Sequence, residues 1–154
     1  MTVTAAYPSM LLPAPPPFTI DVPEGFIAHA APRALAMLRR ADAQDASTHH
    51  VTVSSDLVQA GATPRDLLDT LLGRHDDATT VEEPHLVNGI ASSVIARTVA
   101  GQPVQQSVNV HVMPTRYAGD VTTALTVVAT WPQDDTEAGA SVRAIQDSFS
   151  VTGV

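Results

Sequence analysis

Between Gly101 and Trp131 the chain alternates apolar and polar residues twice over, with one short Pro/Gly/Asp-containing segment between the two runs. In the first run Val104, Val108, Val110 and Val112 fall on one side, and Gln105, Ser107, Asn109 and His111 fall on the other. In the second, Val121, Thr123, Leu125, Val127, Ala129 and Trp131 share a face, opposite Thr122, Ala124, Thr126, Val128 and Thr130. Successive side chains of a strand point to opposite sides, so a period of two held over this length specifies β structure. Joined by Pro114-Thr115-Arg116-Tyr117-Ala118-Gly119-Asp120, the two runs predict a long hairpin at the centre of an antiparallel sheet.

Residues 1–17 end in Pro13-Ala14-Pro15-Pro16-Pro17, an extended polyproline arm. It serves either as a ligand for a proline-binding domain or as a tail leading into the first strand. Phe18, Ile20 and Val22 alternate towards the core before the Pro23-Glu24-Gly25 turn, and Phe26 to His29 forms the return strand of a small opening hairpin. Residues 34–40 fit a helix through Leu35 and Leu38. The strand reading is preferred, because Pro32 before them and the polar Asp42–Ser47 after them leave little length for a helix. Thr48 to Ser54 is a further strand, with His49, Val51 and Val53 on one face.

Helix signals occur twice. Thr63-Pro64-Arg65-Asp66 offers a capping threonine, proline at the first helical position and an acid three residues after the cap. Leu67, Leu68, Leu71 and Leu72 supply its apolar stripe, and Gly73 closes it. Later, Asp134-Asp135-Thr136-Glu137 places negative charge at the positive end of a second helix, whose face is Ala138, Val142, Ile145 and Phe149. Between the helices, Thr79–Val87 and Ile90–Ala100 flank Asn88-Gly89, a strong hairpin signal, and Gly101-Gln102-Pro103 turns into the long hairpin. Ser150 to Val154 is a fraying end or a last short strand. The expected architecture is a single α+β domain over 18–154, a twisted antiparallel sheet flanked by two helices.

Composition excludes several functions. With aromatics at 4%, the core must be filled by aliphatic side chains, and Trp131 carries unusual weight. The net charge is -8, there is no lysine, and of the eight arginines only Arg39 and Arg40 are adjacent. Nucleic acids and anionic membranes require clustered cations, so neither is an expected partner. The absent lysine beside abundant Ala, Val, Asp and Thr suggests a bacterial genome of high GC content. The absence of cysteine excludes disulfides, thiolate catalysis and thiolate metal sites. The opening residues do not read as a signal peptide, because Met10-Leu11-Leu12 is cut off by Pro13 and no basic residue precedes it. The expected location is the cytoplasm, or outside the cell by a route without a cleaved signal.

The order of elements, with Phe18-Thr19-Ile20-Asp21-Val22-Pro23-Glu24-Gly25-Phe26, the Leu-rich helix after Thr63-Pro64, the Asn88-Gly89 turn and Ile145-Gln146-Asp147-Ser148-Phe149, resembles the PsbP-like fold. Within that fold it resembles the actinobacterial LpqN-type group. The resemblance implies an antiparallel sheet with packed helices used as a protein-binding scaffold and not as an enzyme. Members of that group are commonly exported lipoproteins, and this chain departs from them in lacking a signal and an anchoring cysteine.

The residues themselves carry few catalytic patterns. Six histidines are present, yet no helical His pair spaced for a metal occurs, and His49 and His50 point to opposite faces of one strand. His75-Asp76-Asp77 is the best local ligand group, but a solvated loop is the simpler reading, and no metal or other cofactor is expected. Serines 54, 55, 92, 93 and 107 lie in strands or at their ends with no Gly-x-Ser-x-Gly elbow. Gly61, Gly73, Gly89, Gly101, Gly119 and Gly139 are all isolated, so no glycine-rich phosphate loop occurs, and Glu82-Glu83 and Asp134-Asp135 read as solvation and dipole complementarity.

Two binding surfaces remain. Tyr117 and Arg116 sit in the hairpin loop, where an exposed aromatic can anchor a protein partner. Asn109 and His111, with Ser107 and Gln105, form a polar strand face that would lie against the Thr122/Thr126/Thr130 row if the polar faces align, with Arg97 or Arg116 bringing a charge. That face is either wet or the wall of a shallow pocket. The expectation is a non-enzymatic protein-binding or accessory module of an actinobacterium. The alternative is a small-molecule binder or enzyme using the Asn109/His111 face. A free sheet edge also offers a route to self-association.

Overall fold

The computed structural model describes residues 1–42 and 49–153. Thr48, the expected start of a strand, and most of the polar link before it lie outside these residues. Among the described residues nine strands and two helices follow in the order β1 (Phe18–Thr19), β2 (Phe26–Ala31), β3 (Ala34–Arg40), β4 (His50–Gln59), α1 (Pro64–Leu72), β5 (Thr79–Val87), β6 (Ile90–Val99), β7 (Gln102–Val112), β8 (Val121–Pro132), α2 (Thr136–Asp147) and β9 (Ser150–Val151). The large sheet has seven strands in the order β2-β3-β4-β8-β7-β6-β5, each pair antiparallel. The expected α+β class holds, with β8 as the middle strand.

Two meanders make this sheet. β2, β3 and β4 form one, and β5 to β8 the other, with Val53 opposite Val127 where β4 and β8 join them. Residues 34–40 are a strand, as the length argument required. The Asn88-Gly89 turn has φ of 52° and 78°, both positive, as the tightest two-residue hairpin demands. The turn into β7 is made by Ala100 and Gly101, at φ 51° and 80°, so Gln102 and Pro103 already belong to the strand.

The helices lie on opposite faces. α1 covers β5, β6 and β7, with Leu68 buried against Ala91, Val108 and Val110. Its cap forms as the sequence requires: Asp66 N–H donates to Thr63 Oγ1 at 3.1 Å. Gly73 ends the helix with φ -65°, so it serves there without the left-handed geometry that glycine usually supplies. α2 covers β8 and β4, and Val142 and Ile145 join Leu38, Val51, Val53, Leu125, Val127 and Ala129 in the larger core. Asp135 caps it, its Oδ1 accepting from Ala138 N–H at 3.0 Å. Gly139 allows α2 a close approach to the sheet, since a Cβ there would meet Trp131 Nε1 at 2.7 Å.

The opening hairpin does not form. The Pro23–Gly25 turn exists, with Phe26 N–H bonded to the Pro23 carbonyl at 3.1 Å, but β1 pairs with β9 and β2 pairs with β3. The carboxyl end of α2 draws the early segment away: Phe18 packs on Phe149 with centroids 5.2 Å apart, and Asp21 N–H donates to Ser148 Oγ at 2.9 Å. Val22 is exposed as a result, whereas Phe18 and Ile20 reach the core.

Candidate functional site

The alternation of β7 is real, but its polar face is not the wet face of the sheet. Register places His111 opposite Leu125, Asn109 opposite Val127 and Ser107 opposite Ala129, all facing α2. The Thr126 and Thr130 row instead faces α1 with Val110 and Gln106. The expected alignment of polar faces is therefore corrected, because β8 is buried on both sides and the pairing register sets apolar and polar rows together. Buried polar atoms need partners, and α2 supplies one. Gln146, 3% exposed, donates through Nε2 to the carbonyls of Ser107 and Val127, each at 2.9 Å.

Beyond Gln146 the polar row opens into a cleft of about 250 Å³ between the last turns of α2 and strands β5 to β7. Asn109 lies in its wall, where Ser92 Oγ donates to Asn109 Oδ1 at 2.6 Å. Arg143 enters from α2 and pairs with Glu82 at 3.1 Å, both side chains 43% exposed, while its guanidinium lies 5.8 Å from the Trp131 ring centre. His85 and Asn88 close the outer rim. His85 stands opposite Ser92 across the β5–β6 pair, but the serine hydroxyl is given to Asn109 and His85 Nδ1 lies 3.0 Å from the Glu83 carbonyl, so these two side chains are not paired with each other. The arrangement offers hydrogen-bonding groups and one partly neutralised ion pair.

His111 shares the face of Asn109 but leaves the cleft. Its ring meets Phe149 edge-on at 4.8 Å, and burial holds its pKa below the ordinary histidine value. Tyr117 and Arg116 lie apart, in the β7–β8 loop. Tyr117 is half-buried and borders the polyproline arm, whose Met10 carbonyl accepts from Ala118 N–H at 3.2 Å. It is thus not an exposed loop tip. The arm continues into the small sheet, Thr152 N–H donating to the Pro17 carbonyl at 2.9 Å. Arg116 is exposed and faces Asp120 at 3.6 Å.

Neither arginine named for the polar face reaches it. Arg97 is on the α1 side, and Arg143 brings the charge instead. The spacing of Arg143, Gln146 and Asp147 on one side of α2 was the available signal for this. Only the β6–β7 register could reveal that they meet Ser92 and Asn109. The His75-Asp76-Asp77 group diverges: His75 turns to Arg97, and Asp77 Oδ2 accepts from Thr98 N–H at 3.3 Å. Among the described residues no three His, Asp or Glu side chains converge as a metal site.

No protein-family model matches the chain, and no curated protein matches its sequence. Among solved structures it is similar to LpqN of Mycobacterium tuberculosis, described as involved in cell envelope biogenesis. The likeness has a TM-score of 0.63 over 92% of this chain and 86% of that one, at 13% sequence identity. At that identity the match shows a shared fold. No helix among the described residues is long and apolar enough to cross a membrane.

Proposed function

We propose that this chain is a non-enzymatic accessory domain that binds a protein partner at the cell envelope of an actinobacterium. The observation that carries the reading is the edge beside the α2 cleft. Val87 of β5 and Ile90 of β6 stand at its rim beside the charged and polar groups of Glu82, Arg143 and Asn109, and Val87 is exposed. An apolar rim around a few oriented polar groups suits a protein interface. Pro84, Glu82, Glu83 and two register shifts guard the same strand against simple strand addition, so the partner is read through side chains. The envelope setting is supported by the structural neighbour's described role, and the fold by its similarity.

The test is affinity capture from actinobacterial envelope and culture-filtrate fractions, with wild type beside Val87→Glu, Arg143→Glu and Tyr117→Ala. One partner lost with the first two variants and kept with Tyr117→Ala supports the β5 surface. Loss only with Tyr117→Ala moves the interface to the loop, and equal capture by all variants defeats both. A second reading, a small polar ligand held by Asn109, Glu82 and Arg143, is favoured by the concave shape of the cleft. A small molecule that co-purifies with wild type and is lost in Asn109→Ala would establish it.

A further inference from the structure

Arg97 breaks the pattern of this molecule's cations. Arg40, Arg65, Arg116 and Arg143 each pair with a carboxylate, and Arg33 and Arg74 are exposed. Arg39 donates to His29. Arg97 is half-buried on β6 with no carboxylate partner among the described residues. Its Nε is buried without a hydrogen-bond partner, and its Nη1 reaches His75 Nε2 and Gln106 Oε1 only at 3.5 Å. A guanidinium taken out of water without a counter-charge is costly, so an unpaired one invites an anion.

The surroundings fit that anion. Arg97 lines a cleft of about 220 Å³ between the end of α1 and the sheet, on the face opposite Asn109. Its polar wall holds His75, Gln106, Thr126 and Thr130, and Gln106 is fixed by donating to Thr130 Oγ1 at 3.0 Å. The floor is Leu71, Leu72, Val108 and Val128. Among the described residues no carboxylate lines it, in a chain with 16 acidic residues and 8 arginines. The nearby Asp77 is occupied with the Thr98 backbone. The adjoining cleft of about 280 Å³ shares Leu71 and Thr126 but contains both Asp56 and Arg74, so the charge of its one arginine is offset by a carboxylate.

We propose that this cleft binds a small organic carboxylate, with its charged end on the Arg97 guanidinium and its apolar body on Leu71, Leu72, Val108 and Val128. Arginine suits the role because its planar fork gives paired, charge-assisted bonds to a carboxylate and stays charged in a partly dry site.

Benzoate and its uncharged analogue benzamide, titrated by NMR into the full chain, test the assignment. Benzoate should give saturable shifts at the Arg97 Nε–H and at the methyls of Leu71, Leu72, Val108 and Val128. Arg97→Gln should weaken it about tenfold or more, and Arg74→Gln should leave it unchanged. Val128→Phe, which fills the floor and keeps the charge, should also weaken it, so the assignment stands even if Arg97→Gln does not fold. Benzamide binding as tightly as benzoate overturns the proposal. So does the absence of saturable benzoate shifts, or inorganic phosphate moving the Arg97 signal at concentrations as low as benzoate does.

Discussion

Adding one methyl group at Gly139 tests how α2 meets the sheet. A Cβ at this position would lie 2.7 Å from Trp131 Nε1, 2.9 Å from Cδ1 and 3.0 Å from Cε2. Comfortable carbon contacts are about 3.5–4.0 Å, so ring and helix must separate by most of an ångström. The ring has little room to yield, since Trp131 is 5% exposed in the middle strand with the Arg143 guanidinium over it. Overpacking of this kind costs about 1–3 kcal/mol. Alanine is favoured over glycine in a helix by about 0.5–1 kcal/mol, which offsets part of the loss. Gly139→Ala should therefore destabilise the fold by a net amount of about 0.5–2 kcal/mol, a fall in Tm of a few degrees for a chain of this size. Urea unfolding followed by far-UV circular dichroism measures it. In a Trp131→Leu background the clash is gone, and the same substitution should become neutral or stabilising. A Gly139→Ala protein as stable as wild type, with an unchanged urea slope, would falsify the close-contact argument.

Gln146→Leu removes two bonds to buried carbonyls at 2.9 Å and should cost about 1–3 kcal/mol in the same assay, despite the similar side-chain volume. Thr63→Ala removes the cap on Asp66 N–H and should cost about 1 kcal/mol. Burial holds the pKa values of His49 and His111 below the ordinary 6.5, so the unfolded chain takes up these protons first as pH falls. Their contribution is complete above that value and is lost as pH drops towards the lower folded-state values. Thermal melts between about pH 7.5 and 5 should show the loss. His111→Phe, which keeps a ring against Phe149, should flatten it, and an unchanged profile would count against a neutral buried imidazole.

The sequence by itself determined the local pieces of this protein. A positive-φ turn at Asn88-Gly89, a cap at Thr63, an acidic start for α2 and a period of two in β7 and β8 are each set within a few residues, and each is where the pattern placed it. What the pattern could not contain was partnership between distant segments. Phe18 precedes a good turn signal, yet its ring packs on Phe149 instead of in a hairpin with β2, so β1 joins β9. Asn109 and His111 share a strand face in either account, but only the β7–β8 register and the placement of α2 decide their surroundings. One becomes the wall of a polar cleft, and the other an aromatic neighbour of Phe149. Arg143 and Glu82, far apart in the chain, meet there for the same reason. Burial is won by whole faces, and a strand's period fixes which residues share a face without fixing which helix covers it.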